Sequence, residues 1–246
     1  MTYEHSRDLQ LVWDPSVGYW HFVLYIEPGI GPGSGLNAGK IIESSNSRYA
    51  AEWINRLRPC EPDALHVALV GKTDAPNLWH ACVYDDRDSP AAIARDGCVC
   101  WQTFHDPVTW LPVAAHHYRT VSGNHENWRH YTYAPLALPG KERFDQLIID
   151  GEAHTIWVRT DQGNLHFLPE ARGAGYSVGY GGGGPIELAR MIEKIAGSDG
   201  YEVVAGTPRG MPNEKVVAWV SSKEADRTQE LGLDQLKRLC RTGTVE

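Results

Sequence analysis

The sequence lacks several features that would narrow its function quickly. No apolar run approaches the ~20 residues needed to span a bilayer, and Met1 to Gln10 is polar, without the apolar centre of a signal peptide. Long basic stripes are missing and the net charge is −8, so extended binding to a nucleic-acid backbone is not favoured. Five cysteines in 246 residues, an odd number, do not make a disulfide framework. These absences lead us to expect a cytoplasmic chain with no membrane partner. Phenylalanine is scarce, 4 residues against 9 Trp and 11 Tyr. The abundant rings carry a polar tip, which suits half-wet pockets as well as cores.

What is present is an ordinary globular composition, 42% hydrophobic and 22% charged, which argues against long disorder. Tyr19–Glu27 reads as a strand. Ser47–Arg58 reads as a helix, with Tyr49, Trp53 and Leu57 at i, i+4, i+8 and Pro59 behind it. Strand-like runs follow at Leu65–Val70, Leu78–Tyr84, Cys98–Phe104, His116–Val121 and His130–Tyr133. Pro135–Gly140 is the candidate boundary between a strand-rich half, 1–135, and an α+β half, 136–246; the two could still share one core. Beyond it, Leu147–Ile149 reads as a strand, and His154–Arg159 and Leu165–Leu168 flank a hairpin turn at Asp161–Asn164. Tyr176–Tyr180, Tyr201–Ala205 and Lys215–Ser221 are further expected strands. Pro185–Ala196 and about Gln229–Arg241 are expected helices. The expected fold class is α+β, mostly antiparallel multi-stranded sheet with about three packed helices.

The run Gly181-Gly182-Gly183-Gly184 before Pro185 is the first candidate binding element. Consecutive glycines carry an entropy penalty that something must offset, either positive φ or close backbone approach. A helix N-terminus offers free N–H groups to an anion, although Pro185 removes one of them. Tyr176, Tyr180 and Arg172 are the natural companions, the tyrosines for stacking and the arginine for phosphate. The ligand this suggests is a nucleotide or phosphorylated small molecule. The stretch from Tyr176 to Pro185, followed by Leu188-Ala189, resembles a small uncharacterised bacterial and phage domain family with a W-G-Y-G-G-S-G-P-x-x-L-A segment. Val178 stands where that family has Trp, and Gly183 where it has Ser. The resemblance covers residues 154–196 and implies a structural unit without implying an activity.

Catalytic motifs fare less well. Gly175-Tyr176-Ser177-Val178-Gly179 fits G-x-S-x-G, but the expected helix starts eight residues after the serine and no histidine follows His166. Gly33–Lys40 lacks the P-loop spacing and has Ile41 where Ser or Thr is needed, which leaves a surface loop with one lysine. Gly123-Asn124-His125-Glu126 matches the G-N-H-E element of calcineurin-like metallophosphoesterases without that family's other ligand elements. His80, Cys82, Cys98 and Cys100 are a zinc candidate if a hairpin brings them together, although C-x-C on a flat strand wraps an ion poorly. A cysteine nucleophile with His66, His116 or His117 as base has nothing to bring the pair together. No metal ligand, catalytic residue or cofactor is assigned. The leading expectation is a ligand- or partner-binding protein. One alternative is an enzyme, a hydrolase or transferase with or without a metal, using the His/Cys-rich first half. The other is a structural or interaction subunit, including a homo-oligomer.

Overall fold

A computed structural model describes residues 9–14, 19–24, 39–43, 47–70, 100–119, 126–171, 175–206 and 210–246. The fold class is the expected one, α+β with antiparallel sheets. Strands β1 (Leu9–Asp14) and β2 (Tyr19–Leu24) form a hairpin. A five-stranded sheet is built from β3 (Gly39–Glu43), β4 (Arg58–Pro59), β5 (Cys100–His105), β6 (Pro112–Arg119) and β7 (Glu126–Tyr133), in the order β3-β7-β6-β5-β4. A four-stranded sheet has the order β10-β9-β8-β11, from β8 (Phe144–Asp150), β9 (Thr155–Thr160), β10 (Leu165–Phe167) and β11 (Gln229–Gly232).

The described residues include five helices, not about three: α1 (Arg48–Arg56), α2 (Ala64–Val70), α3 (Gly183–Gly197), α4 (Glu214–Val220) and α5 (Leu233–Thr242). None is long and apolar enough to cross a membrane. Helix α1 forms where its periodicity predicts. Ser47 caps it by accepting a hydrogen bond from the Ala50 N–H at 3.2 Å, and its Tyr49, Ala50 and Trp53 are buried.

Two apolar runs expected as strands are helices instead. In α2, Asp63 Oδ1 accepts from the Leu65 and His66 N–H groups and starts the turn. In α4, Asn213 Oδ1 accepts from Lys215 N–H, and Val216, Trp219 and Val220 fall on one buried side. Both runs are seven residues long, where a β-branched composition does not separate helix from strand. The expected strand Tyr176–Tyr180 is irregular, because Gly175 and Gly179 take φ of +69° and +84° and break the pleat. Tyr201–Ala205 makes one isolated bridge, Val204 to Ala137, rather than a strand. The last helix begins four residues later than expected, because Gln229–Gly232 pairs with β8 as β11. Helix α3 begins at Gly183, two residues before Pro185, which still sits in the first turn where its missing N–H leaves no helical bond unmade.

These elements stack on the four-stranded sheet. On one side, Leu147, Ile149, Ile156 and Val158 pack against Leu188, Ile192 and Ile195 of α3, Val216 of α4 and Leu236 of α5. On the other, Ile148, Trp157, Leu165 and Phe167 meet Tyr49 and Trp53 of α1, Ile42 of β3 and Val113 of β6. Helix α2 covers the far side of the five-stranded sheet, with Leu69 and Val70 against Ala114 and Tyr133.

Candidate functional site

The charged groups of greatest interest lie where α1, the β5–β6 turn, the end of β7 and β10 meet. Trp53 and Arg56 are one helical turn apart on α1 and therefore point the same way. Both reach Asp106, the first residue after β5. Trp53 Nε1 donates to Asp106 Oδ2 at 3.3 Å and Arg56 donates to the same oxygen at 2.5 Å. Asp106 also organises its own turn. Its Oδ1 accepts from Val108 N–H, its N–H donates to Leu111 O, and its carbonyl accepts from Trp110 N–H. A carboxylate only 3% exposed needs a charge partner or hydrogen bonds to offset its burial, and Asp106 has both.

His166 enters from β10, placed by the short turn after β9. It is 1% exposed, and its Nε2 lies 2.8 Å from Glu142 Oε2. Glu142 also accepts from the Thr160 hydroxyl and the Asn164 side-chain amide, both at 2.8 Å. Burial pushes the His166 imidazole below its ordinary pKa, against the opposing pull of Glu142. The ring is then neutral near pH 7, with its proton on Nε2 facing Glu142. Nδ1 is left as an acceptor, and it has no hydrogen-bond partner among the described residues.

Asp106 and His166 line one cleft together with Trp53, Thr109, Leu111, Thr132, Tyr133, Pro135 and Phe167. It holds about 200 Å³ of empty space, part of it open to solvent. Its interior admits about one water-sized group. Nearby, His130 is buried edge-on to Trp53, with ring centroids 6.4 Å apart. Its Nδ1 also lacks a partner among the described residues, and burial pushes its pKa down to about 4.

The glycine-rich turn is held by contacts of a different kind. A Cβ at Gly184 would lie 2.1 Å from Ser177 Oγ, and one at Gly182 would lie 2.6 Å from the Tyr180 ring. Gly181 and Gly183 face open space. Ser177 Oγ donates to the Tyr180 hydroxyl at 2.9 Å, and the Tyr176 hydroxyl donates to Pro169 O at 2.8 Å. Burial raises the Tyr176 pKa, so it remains a neutral phenol. Tyr180 is 52% exposed. Arg172 lies outside the described residues.

Lys40 is not on a surface loop as the motif reading had it. It sits on β3, ion-paired with the buried Glu170, which also accepts from Gly175 N–H. His80, Cys82, Cys98 and His125 lie outside the described residues, and of Cys100 and His117 only the backbone on β5 and β6 is described. Among the described residues no group of three His, Cys, Asp or Glu side chains is placed to hold a metal. His66 is committed to Asp63 through Nδ1 and to Phe104 O through Nε2, each at 2.8 Å. The sequence reading missed Arg56, Asp106 and Glu142 as site residues and used His166 only as the last histidine. Their separations along the chain follow no motif, so the one available signal was Asp106-Pro107 opening a turn between strands. No protein-family model matches this chain, and neither a curated protein nor a solved structure shows significant similarity to it.

Proposed function

We propose that this protein binds a small ligand whose hydrogen-bond donor group enters the cleft and donates to His166 Nδ1. The observation carrying this reading is a buried imidazole nitrogen with no partner among the described residues, on a histidine that lines a cleft opening to solvent. An unsatisfied buried acceptor costs about 1–3 kcal/mol, so a donor that fills the position recovers much of that. Charge narrows the choice. Arg56 balances Asp106, whereas Glu142 is held by a hydroxyl, an amide and a neutral imidazole. The cluster therefore has one uncompensated negative charge, which favours an ammonium, amino or hydroxyl group and opposes phosphate or carboxylate.

The test is titration with methylammonium and formamide, followed through the side-chain ¹⁵N resonances of His166. A saturable shift of Nδ1 is expected. If neither probe moves it at high millimolar concentration, the cleft holds only structural water and the reading fails.

A second reading retains a phosphorylated ligand at Gly181–Gly184, favoured by the uncapped start of α3 and the open space at Gly181 and Gly183. Inorganic phosphate in the same titration reads it separately, through the amide signals of Gly183 and Gly184. It has less support, because the hydroxyls beside the turn, Ser177 and Tyr180, are bonded to each other.

A further inference from the structure

The connection from β4 to α2 brings three reactive side chains together, and none of them lines the cleft. Cys60 follows Pro59 and is clamped to β5 by two hydrogen bonds. Its N–H donates to Thr103 O at 3.1 Å, and Thr103 Oγ1 donates to Cys60 O at 2.6 Å. Its thiol is free and partly exposed. His66, in the first turn of α2, is 2% exposed. Cys60 Sγ lies 3.8 Å from His66 Nε2, and Asp63 Oδ1 lies 2.8 Å from His66 Nδ1. A nucleophile, a base and a third group that orients the base are the parts of an activated thiol, and such contacts are often long in a site without its substrate. Cys60 and Asp63 sit at opposite nitrogens of one ring, so the three side chains cannot share a metal ion. Phe104 O, 2.8 Å from Nε2, bears on the ring's protons. Without a proton on Nε2, its lone pair faces Phe104 O. Without one on Nδ1, its lone pair faces Asp63 Oδ1, a contact softened by Asp63 N–H at 3.3 Å. Only a ring carrying both protons satisfies both oxygens. Burial, with the charges of Asp63 and Glu61, pushes the Cys60 thiol up. A proton moved from Sγ to Nε2 gains the bond to Phe104 O, which offsets part of the cost of forming a thiolate there.

We infer that Cys60 is a nucleophilic site for small disulfides, with His66 as its base and Asp63 as the residue that positions the ring. This site is independent of the cleft reading above. In the reaction the Sγ–H proton passes to His66 Nε2, and the thiolate attacks one sulfur of a disulfide RS–SR. A Cys60–S–SR bond forms and the RS–SR bond breaks. The departing RS⁻ takes the proton from Nε2 and leaves as RSH. Cys60 is oxidised and the departing sulfur is reduced. Acyl transfer fits the site less well, because its oxyanion needs free N–H donors. Here Cys60 N–H is held by Thr103 O, and Leu65 and His66 N–H are held by Asp63 Oδ1. Displacement at sulfur develops no oxyanion. Charge narrows the disulfide further, since Glu61 and Asp63 are exposed acids beside the thiol and favour a cationic partner over an anionic one.

Cystamine and dithiodipropionate test the inference, being small disulfides of opposite charge. Mixed-disulfide formation near neutral pH is followed by mass spectrometry of the peptides carrying Cys60 and Cys240. Cys240 is the other free cysteine among the described residues and serves as the reference, its thiol pushed up by burial to about 11. Cystamine is expected to modify Cys60 at least tenfold faster than Cys240, and faster than dithiodipropionate does. His66→Gln retains an amide N–H to offer Phe104 O and is expected to slow Cys60 at least tenfold while leaving Cys240 unchanged. Asp63→Asn keeps the cap of α2 and is expected to slow Cys60 several-fold with the midpoint of urea unfolding unchanged. A damaged fold would expose the thiol and speed the reaction, so slowing cannot come from misfolding. An unchanged or faster Cys60 rate in His66→Gln overturns the inference, and the same result in Asp63→Asn overturns the positioning role. Dithiodipropionate reacting faster than cystamine overturns the charge selection. A burst of nitrophenol from nitrophenyl acetate that Cys60→Ala removes, with Cys60 left unmodified by cystamine, overturns the inference in favour of acyl transfer.

Discussion

The two sides of the four-stranded sheet are built from the same strands and differ in chemistry. The side facing α3, α4 and α5 is aliphatic, with Leu147, Ile149, Ile156 and Val158 against the apolar stripes of three helices. The side facing α1 and the five-stranded sheet is aromatic, with Trp53 6.3 Å from Trp157 and 5.1 Å from Phe167. Buried polar groups border these rings. Asp150 accepts from Trp157 Nε1 and from Ser47, Asp106 accepts from Trp53 and Arg56, and His130 and His166 each keep one nitrogen unpaired. An aliphatic core needs only volume, and among the described residues its one buried polar atom without a partner is Trp219 Nε1. A polar interior needs every donor and acceptor matched, and here, among the described residues, Nδ1 of His130, Nδ1 of His166 and Nε of Arg56 have no partner. The aromatic side therefore carries more unmatched polar atoms than the aliphatic side.

Breaking the Arg56–Asp106 pair gives the largest expected effect. Asp106→Ala leaves the guanidinium and the Trp53 N–H without their acceptor, and should lower unfolding stability by about 3–5 kcal/mol. The double variant Arg56→Met/Asp106→Leu removes both charges and should recover most of that loss in urea denaturation. If the double variant is no better than the single one, the pair is not the source of the effect.

Acidification comes next. His130 has a folded pKa of about 4 against an ordinary value of 6.5, so the unfolded chain binds the proton first. Its contribution is complete above pH 6.5 and is lost as pH falls towards 4, on the order of 3 kcal/mol in all. The depressed pKa of His166 acts in the same direction. Denaturation measured at pH 7 and pH 4.5 should show this loss, and His130→Gln should reduce it. An equal loss in the variant would place the titration elsewhere.

The aliphatic side supplies the smallest effect and the contrast. Ile149→Val removes one buried methylene and should cost about 1 kcal/mol. That loss should be the same at pH 7 and pH 4.5, because the titratable side chains packed against that cluster, Tyr176 and Cys240, have pKa values raised by burial and stay neutral over this range. A pH-dependent cost would mean that the two sides of the sheet are coupled.

Much of the secondary structure is legible in the sequence because it is local. Tyr49, Trp53 and Leu57 repeat at helical spacing between a Ser cap and a proline, and Asp161–Asn164 is a turn between two apolar runs whatever surrounds it. The errors are also local in kind. Ala64–Val70 and Glu214–Val220 carry helix caps at Asp63 and Asn213, but their seven apolar-rich residues suit a strand equally well by composition. Gln229–Gly232 continues the helical pattern of the residues after it and becomes a strand because β8 has a free edge to pair with. The site is a different matter. Arg56, Asp106, Glu142 and His166 are single residues of ordinary type, separated by tens of positions, and no spacing rule connects them. By itself the sequence determined the fold class, the first helix, the β9–β10 hairpin and the position of the glycine turn, since each depends on neighbours along the chain. The stacking of the two sheets and α1 decided the rest. Only there does a histidine come to lie with one ring nitrogen bonded to Glu142 and the other without a partner among the described residues.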